Sequence, residues 1–385
     1  MLTTVVETAP KGSRTIKVED SSGMAAGDVI LLSLRNTTDR GDLIYELMAP
    51  IQEFHELQKT ARSAGKLRAA SYQWLVEVEK VPDGKTLILK QPLRRDFNMR
   101  FLPEVHAAPM LLRIGIEDIQ FISDWTGPYS HHGHGIKRCT LADKVEVDYG
   151  WKAICFTRVA HGWIRNVSIE NYTVPVTLQD SRNVTVQDVV INDPENIGGH
   201  YGIKCYSHAC DNLIEDVQIN SYRTHGTGVE GNSYGNVFRN ITFSQDSSHI
   251  SEYDSHGFCD APFSPPACNL FENIIGQGSI SGGGAKHNLP HASQYNTFWN
   301  CKITSEDGEV FESFASEMFG VSAYQLFPKS ILVGVSSDLG AVLTLDGKAF
   351  DRDDDWLYVE GLNGPAMKPA SLYEAQLKLR LGNDD

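Results

Sequence analysis

Residues 199–243 read GHYGIKCYSHACDNLIEDVQINSYRTHGTGVEGNSYGNVFRNITF, and one pattern runs through them twice. LIEDVQI (213–219) and VFRNITF (237–243) share the frame apolar-x-Asn/Asp-apolar-x-apolar, each after a shorter alternating run, GIKCY (202–206) and GVEGN (228–232). Outward from there the frame recurs in GIEDIQF (115–121), WIRNVSI (163–169), TVQDVVI (185–191), LFENIIG (270–276) and TFWNCKI (297–303). Its central residue falls at Asp118, Asn166, Asp188, Asp216, Asn240, Asn273 and Asn300, in steps of 48, 22, 28, 24, 33 and 27. A period in the twenties with variable insertions marks a solenoid.

The alternation is that of strands with one buried face. Ile164, Val167 and Ile169 should point inward, with Ile214, Val217 and Ile219 in the equivalent places. The Asn/Asp column sits where the chain bends, and its side chains can satisfy turn groups and one another from rung to rung. Upstream lie the shorter strands KAICF (152–156), PVTLQ (175–179), GIKCY and GVEGN. Alternation predicts Ala153, Cys155, Val176, Leu178, Ile203, Cys205, Val229 and Gly231 inside. It leaves Ile154, Thr177, Lys204 and Glu230 outward, with Phe156, Gln179, Tyr206 and Asn232 beside them. Two or more strands per turn, stacked at ~4.8 Å, make an all-β, parallel β-helix.

The flanks depart from this pattern. Residues 1–35 read as β-hairpins, 42–65 as helical or irregular with a break at Pro50, and 71–106 as strands again. The tail 369–382 reads as a helix with Ser371 as N-cap and Gly382 as its stop, suited to capping the solenoid. The expected organisation is an N-terminal region over 1–105, the solenoid over 106–345 and a tail over 346–385.

Composition narrows the partners. The 385 residues carry 49 acidic against 34 basic side chains, a formal charge of −15. That balance argues against nucleic acid and anionic membranes. No apolar run approaches the ~20 residues of a membrane span. The opening MLTTVVETAPKG lacks the basic and apolar regions of an export signal. Seven cysteines without a CxxC pair read as small buried residues rather than a disulfide framework.

Candidate chemistry gathers around the Lys204 strand. His200, His225 and His256 lie 16, 15 and 17 residues before their markers, a spacing that predicts one column of imidazoles on three successive rungs, with Asp254 close by. Such a line suits binding or proton transfer near neutral pH. Lys204 and Glu230 form either a cross-rung ion pair or a base with its neighbour. Gln179, Asn232, Lys286 and His287 would line the same groove. His200, His225 and His256 with Asp254 have the side chains for a metal, but nothing fixes their distances, and no metal site is assigned. SHHGHG (130–135), in a long insertion between the first two rungs, is a His-rich loop of a kind that can bind metal but more commonly is a mobile surface loop, and the acidic 351–355 run lacks the spacing of a calcium loop. A calcium cofactor is compatible with the sequence without being marked by any motif.

The combination of GHYGIK, SHACDNLIEDVQI, HGTGVEGNSYGNVF and DSHG with NLFENI resembles bacterial proteins of the pectate-lyase-like superfamily, over about residues 100–305. That resemblance implies a right-handed parallel β-helix acting on a polysaccharide outside the cytoplasm, extracellular or periplasmic. The superfamily's pectate calcium carboxylates do not map onto this chain. Residue chemistry then suggests a lyase cleaving a uronate-containing polysaccharide by β-elimination. Arg223 or a cation would neutralise the carboxylate, Lys204 or His225 would be the base, and Tyr206 or His200 the acid. A glycoside hydrolase using Glu230 and Asp254 is the second expectation. The third is a carbohydrate-binding, tailspike-like module without turnover, whose flat solenoid faces would permit a homo-oligomer.

Overall fold

The computed structural model describes residues 1–37, 42–47, 71–136, 140–244, 252–256, 265–281, 292–305, 308–312, 322, 324, 327–345 and 357–382. Two parallel sheets carry the repeat, as expected of a parallel β-helix. The longer runs in the order Gly115–Ile122, Trp163–Glu170, Thr185–Asn192, Leu213–Asn220, Val237–Phe243, Leu270–Gln277, Thr297–Trp299, Ser330–Val333 and Leu357–Glu360. The second runs Lys152–Thr157, Val174–Gln179, Gly199–Tyr206, Arg223–Glu230, Glu252–His256, Ile280–Ser281 and Phe311–Glu312. A third corner is closed by single parallel bridges linking Ala160, Arg182, Cys210, Tyr234 and Ala267 in turn.

The marker column bends each rung of the longer sheet. Asp118, Asn166, Asp188, Asp216, Asn240, Asn273 and Asn300 all have left-handed φ, between 52° and 55°. Asn and Asp tolerate that conformation better than other side chains bearing a Cβ. The ladder skips these positions: Arg165 pairs with Gln187 and Val167 with Val189, with no pair between. Asn166 Nδ2 donates to Asp118 Oδ1 at 2.7 Å, and Asn240 Nδ2 to Asp216 Oδ1 at 3.0 Å, so the column also ties rung to rung.

A second column, four residues earlier, is buried. Asn212, Asn236, Asn269 and Asn296 stack inside the corner. Asn212 Nδ2 donates to Asn236 Oδ1 at 2.9 Å, Asn236 Nδ2 to Asn269 Oδ1 at 3.0 Å, and Asn269 Nδ2 to Asn296 Oδ1 at 3.1 Å. The same oxygens accept the backbone N–H of the preceding rung's asparagine. Each amide thus offsets its own burial. Beside this ladder the core column runs Ile164, Val186, Ile214, Phe238, Phe271, Phe298. Its phenylalanine rings stack at 4.8 and 5.3 Å.

The flanks partly correct expectation. Of the hairpins expected over residues 1–35, the reversal at APKGSR is met by an antiparallel bridge between Val5 and Val18, with Val6 N–H donating to the Lys17 carbonyl at 2.9 Å, but the longer strands pair elsewhere. They join a six-stranded antiparallel sheet whose partners are distant: Thr3–Thr4 pairs with Glu104–Ala107, Thr15–Lys17 with Thr86–Leu89, and Val29–Arg35 with Ser71–Asp83. Turn signals showed where the chain reverses, but burial of Ile30, Leu32, Trp74 and Val76 selected the pairing. Asp42–Leu47 is helical, whereas Pro50 and the rest of the 42–65 segment lie outside the described residues. This sheet docks on the bridge corner through Tyr72 stacked on Tyr234 at 4.9 Å, an Arg94–Asp211 ion pair and His161 Nε2 at 3.0 Å from Glu77. The C-terminal helix, Leu372–Leu381, has Ser371 as N-cap and Gly382 as C-cap. It is held to the longer sheet by Ser371 Oγ on Glu272 and by Glu374 on Arg239. Among the described residues, no helix is long and apolar enough to cross a membrane.

Replacing Asn236 by Ala removes the acceptor shared by the Asn212 backbone N–H and Nδ2, and with it the donor to the Ala209 carbonyl and Asn269 Oδ1, all of them buried. We expect a loss of about 3 kcal/mol in denaturant unfolding. Asn220→Ala, which breaks an exposed amide pair with Asn192, should cost less than about 1 kcal/mol.

Candidate functional site

The second sheet carries the candidate residues, and its register sets who meets whom. Thr177, Lys204, Gly228 and Asp254 are in line, with Gln179 beside Tyr206 in one pair of strands and Glu230 beside His256 in another. On the first strand the expected alternation is reversed. Ile154 and Phe156 are buried and Cys155 is exposed. Register puts Ile154 beside Val176, so the larger apolar side chains take the interior and Cys155 lines up with Thr177.

The single column of three imidazoles is not formed. His225 faces Tyr201 across the ladder, and His256 faces Glu230. Counting back from the markers fails because each count crosses a corner and a loop of different length. His200 and His225 nevertheless converge, with ring centroids 5.3 Å apart. Asp254 and His256 are placed by register alone, and Lys286 and His287 lie outside the described residues.

Two expected substrate contacts are turned away from solvent. Arg223 is 0% exposed; its Nε donates to Ser221 Oγ at 3.0 Å and its Nη1 to the Tyr172 carbonyl at 2.7 Å. Burial pulls its pKa down to about 10 against the opposing pull of Asp193. Gly199 exists to admit it, since a Cβ there would lie 1.7 Å from the guanidinium. Asn232 is also fully buried, its Oδ1 accepting from the Tyr234 hydroxyl at 2.7 Å and from the Gln73 backbone N–H at 3.2 Å. It fastens the N-terminal sheet to the solenoid. Gln179 is half-buried.

Lys204 keeps 16% of its side chain exposed. It pairs with the carboxylate of Glu230, itself 6% exposed, and its Nζ stands 4.1 Å from the Tyr201 ring centroid and 5.0 Å from that of Tyr206. A carboxylate and two ring faces stabilise the ammonium, the form that binds an anion rather than takes a proton.

Beside it lies a histidine pocket that sequence reasoning missed. The insertion after the first rung folds back onto the second sheet, anchored by Trp125 stacked on Trp151 at 5.8 Å and by Tyr129, whose hydroxyl lies 2.6 Å from that of Thr224. This carries His131, assigned by sequence to a surface loop, to within 4.8 Å of His200 and 5.6 Å of His225, ring to ring. Asp148 is 0% exposed below them. Its Oδ1 stands 2.6 Å from His200 Nδ1, and its Oδ2 accepts the His132 backbone N–H at 2.8 Å and lies 3.1 Å from His132 Nδ1. Burial opposes the charge on Asp148, but the hydrogen bonds from His132 and His200 outweigh it and hold the carboxyl well below the usual range. Burial, followed by the neighbouring His200 and His132, brings His131 down to about 3; burial also lowers His200 despite Asp148. The only signal in the sequence was three histidines in four residues, because the contact that gives them meaning is tertiary.

A family described only as a domain of unknown function, DUF4955, matches residues 222–384. No curated protein matches the sequence. Among solved structures, the tailspike protein gp49 from Pseudomonas phage LKA1 is similar at a TM-score of 0.54 and 11% identity, covering 88% of this chain and 53% of that one. The Pseudomonas phage phi297 tailspike gp61 gives 0.36 and 12%, with 87% and 56% covered. The Gp54 tailspike of Acinetobacter baumannii bacteriophage AP22, in complex with A. baumannii capsular saccharide, gives 0.31 and 11%, with 93% and 56% covered. The chain spans about half the length of these proteins. The first likeness is one of fold.

Arg223→Met should destabilise the chain by about 3 kcal/mol, because it strands the groups that the buried guanidinium serves. Arg165→Met, at an exposed pair with Glu117, should cost less than about 1 kcal/mol. Chemical denaturation of both variants checks the contrast.

Proposed function

We propose that the groove around Lys204 binds an acidic polysaccharide and cleaves it by β-elimination at a uronate residue. The observation that carries this reading is the Lys204 ammonium, held by Glu230 and flanked by Tyr201 and Tyr206, next to a pocket of buried imidazoles. Elimination needs three things: the uronate carboxylate neutralised, the C5 proton taken, and the O4 leaving group protonated. Lys204 supplies the first, in place of Arg223, whose burial removes it from substrate. His131, the half-buried imidazole beside His200 and His225, whose neutral form burial favours, supplies the second. Tyr206, half-buried beside Lys204, supplies the third. The tyrosine rings also offer faces on which sugar rings stack.

The parallel β-helix shared with a phage tailspike is compatible with this reading and equally with a saccharide gripped without turnover. A hydrolase built on Glu230 and Asp254 is less well supported, because Glu230 is engaged by Lys204 and largely buried. An acidic glycan substrate goes with action outside the cytoplasm.

Incubation with a panel of polyuronates and neutral glycans, followed by ultraviolet absorbance and reducing ends, tests the proposal. We expect unsaturated product from one polyuronate and a loss of about 100-fold or more in kcat/KM for Lys204→Ala. Reducing ends without absorbance would establish hydrolysis instead, and binding without either would establish a non-catalytic module.

A further inference from the structure

We infer that His131, His200 and His225 form a binding site for one divalent transition-metal ion of the zinc class. One ring nitrogen from each lies within 4.8 Å of the others. Nitrogens bound to one tetrahedral zinc are ~3.3 Å apart, so closure asks each ring to move by about an ångström. The three residues come from separate elements: His131 from the insertion, His200 and His225 from adjacent rungs. Convergence of three imidazoles from such separate places is not a by-product of strand periodicity.

The surroundings have the features of an ion site. His200 and His225 are 3% and 4% exposed, so an ion would lose most of its water and gain the full donor strength of the rings. Asp148 engages His200 through Nδ1, and the Tyr129 hydroxyl lies 3.3 Å from His131 Nδ1. In both rings this assigns Nε2 to the ion and fixes the orientation, as carboxylate and hydroxyl partners do around metal-bound histidines. The buried negative charge of Asp148 offsets part of the ion's charge. Three nitrogens with no thiolate or hard oxygen donor among them favour zinc, copper or nickel over calcium or magnesium. A set of three histidines also leaves an open coordination position.

This inference stands on the geometry of the trio and does not rest on the saccharide-cleaving reading. The ion and a transferred proton would compete for the same nitrogens, so occupancy is read without substrate. The whole chain, stripped with chelator and dialysed, is titrated with Zn²⁺ by calorimetry. We expect one equivalent to bind, with affinity lost by about 100-fold or more in His131→Ala, lowered about 10-fold in Asp148→Asn, and unchanged in His134→Ala. X-ray absorption of the zinc-loaded wild type, which needs no variant to fold, should count three imidazole nitrogens. Absence of binding by the wild type, binding that survives His131→Ala, or fewer than three imidazoles at the zinc would overturn the inference.

Discussion

Every feature of the groove depends on successive rungs staying in register, and two asparagine columns enforce this. The marker column forces a left-handed bend at one fixed strand position from Asp118 to Asn300. The buried column at Asn212, Asn236, Asn269 and Asn296 links each amide to the next and gives Asn236 and Asn269 a partner above and below. A slip of one rung by a single residue would bury the polar set and expose the apolar one, and would also leave several buried amides unpaired. The marker column bends the rung and the buried column locks its height. The second sheet inherits that alignment and with it the placement of Lys204 against Glu230.

Polar groups at the site are stabilised in a particular electrical state by burial and pairing. Glu230 pairs with the Lys204 ammonium, while burial beneath the insertion favours the neutral forms of His131 and His200. Asp148 is the exception that makes the pocket tolerable: a fully buried carboxylate kept charged by the histidines it orients. Cationic and neutral nitrogen are thus presented side by side over two adjacent strands, a division of labour that a surface patch in high dielectric would not sustain.

The solenoid was legible because its cause is local. Alternation and the Asn/Asp frame recur with the rung, and the inward positions of Ile164, Val167, Ile214 and Val217 follow from them. The C-terminal helix was equally legible from Ser371 and Gly382, which satisfy its end groups. The buried amide ladder, an Asn four residues before four of the markers, was not read from the sequence, because only its burial between rungs sets it apart from the other polar turn residues. Errors began wherever an inference crossed a loop. The alignment of His200 with His225 and His256 failed by register, the first strand flipped Cys155 outward, and Arg223 and Asn232 are buried rather than facing solvent. His131 could be placed only by the tertiary fold of the insertion.

The central claim is that an acidic sugar docks on Lys204. A crystal structure with a uronate oligosaccharide bound tests it most directly. The account predicts a sugar carboxylate at ion-pair distance from Lys204 Nζ, with rings lying along Tyr201 and Tyr206 and the histidine pocket at one end. A basic and aromatic cleft between the N-terminal sheet and the solenoid, lined by Lys11, Arg94, Arg95 and Tyr295, is the competing place. Oligosaccharide seated there, with the Lys204–Glu230 pair undisturbed, would contradict the account.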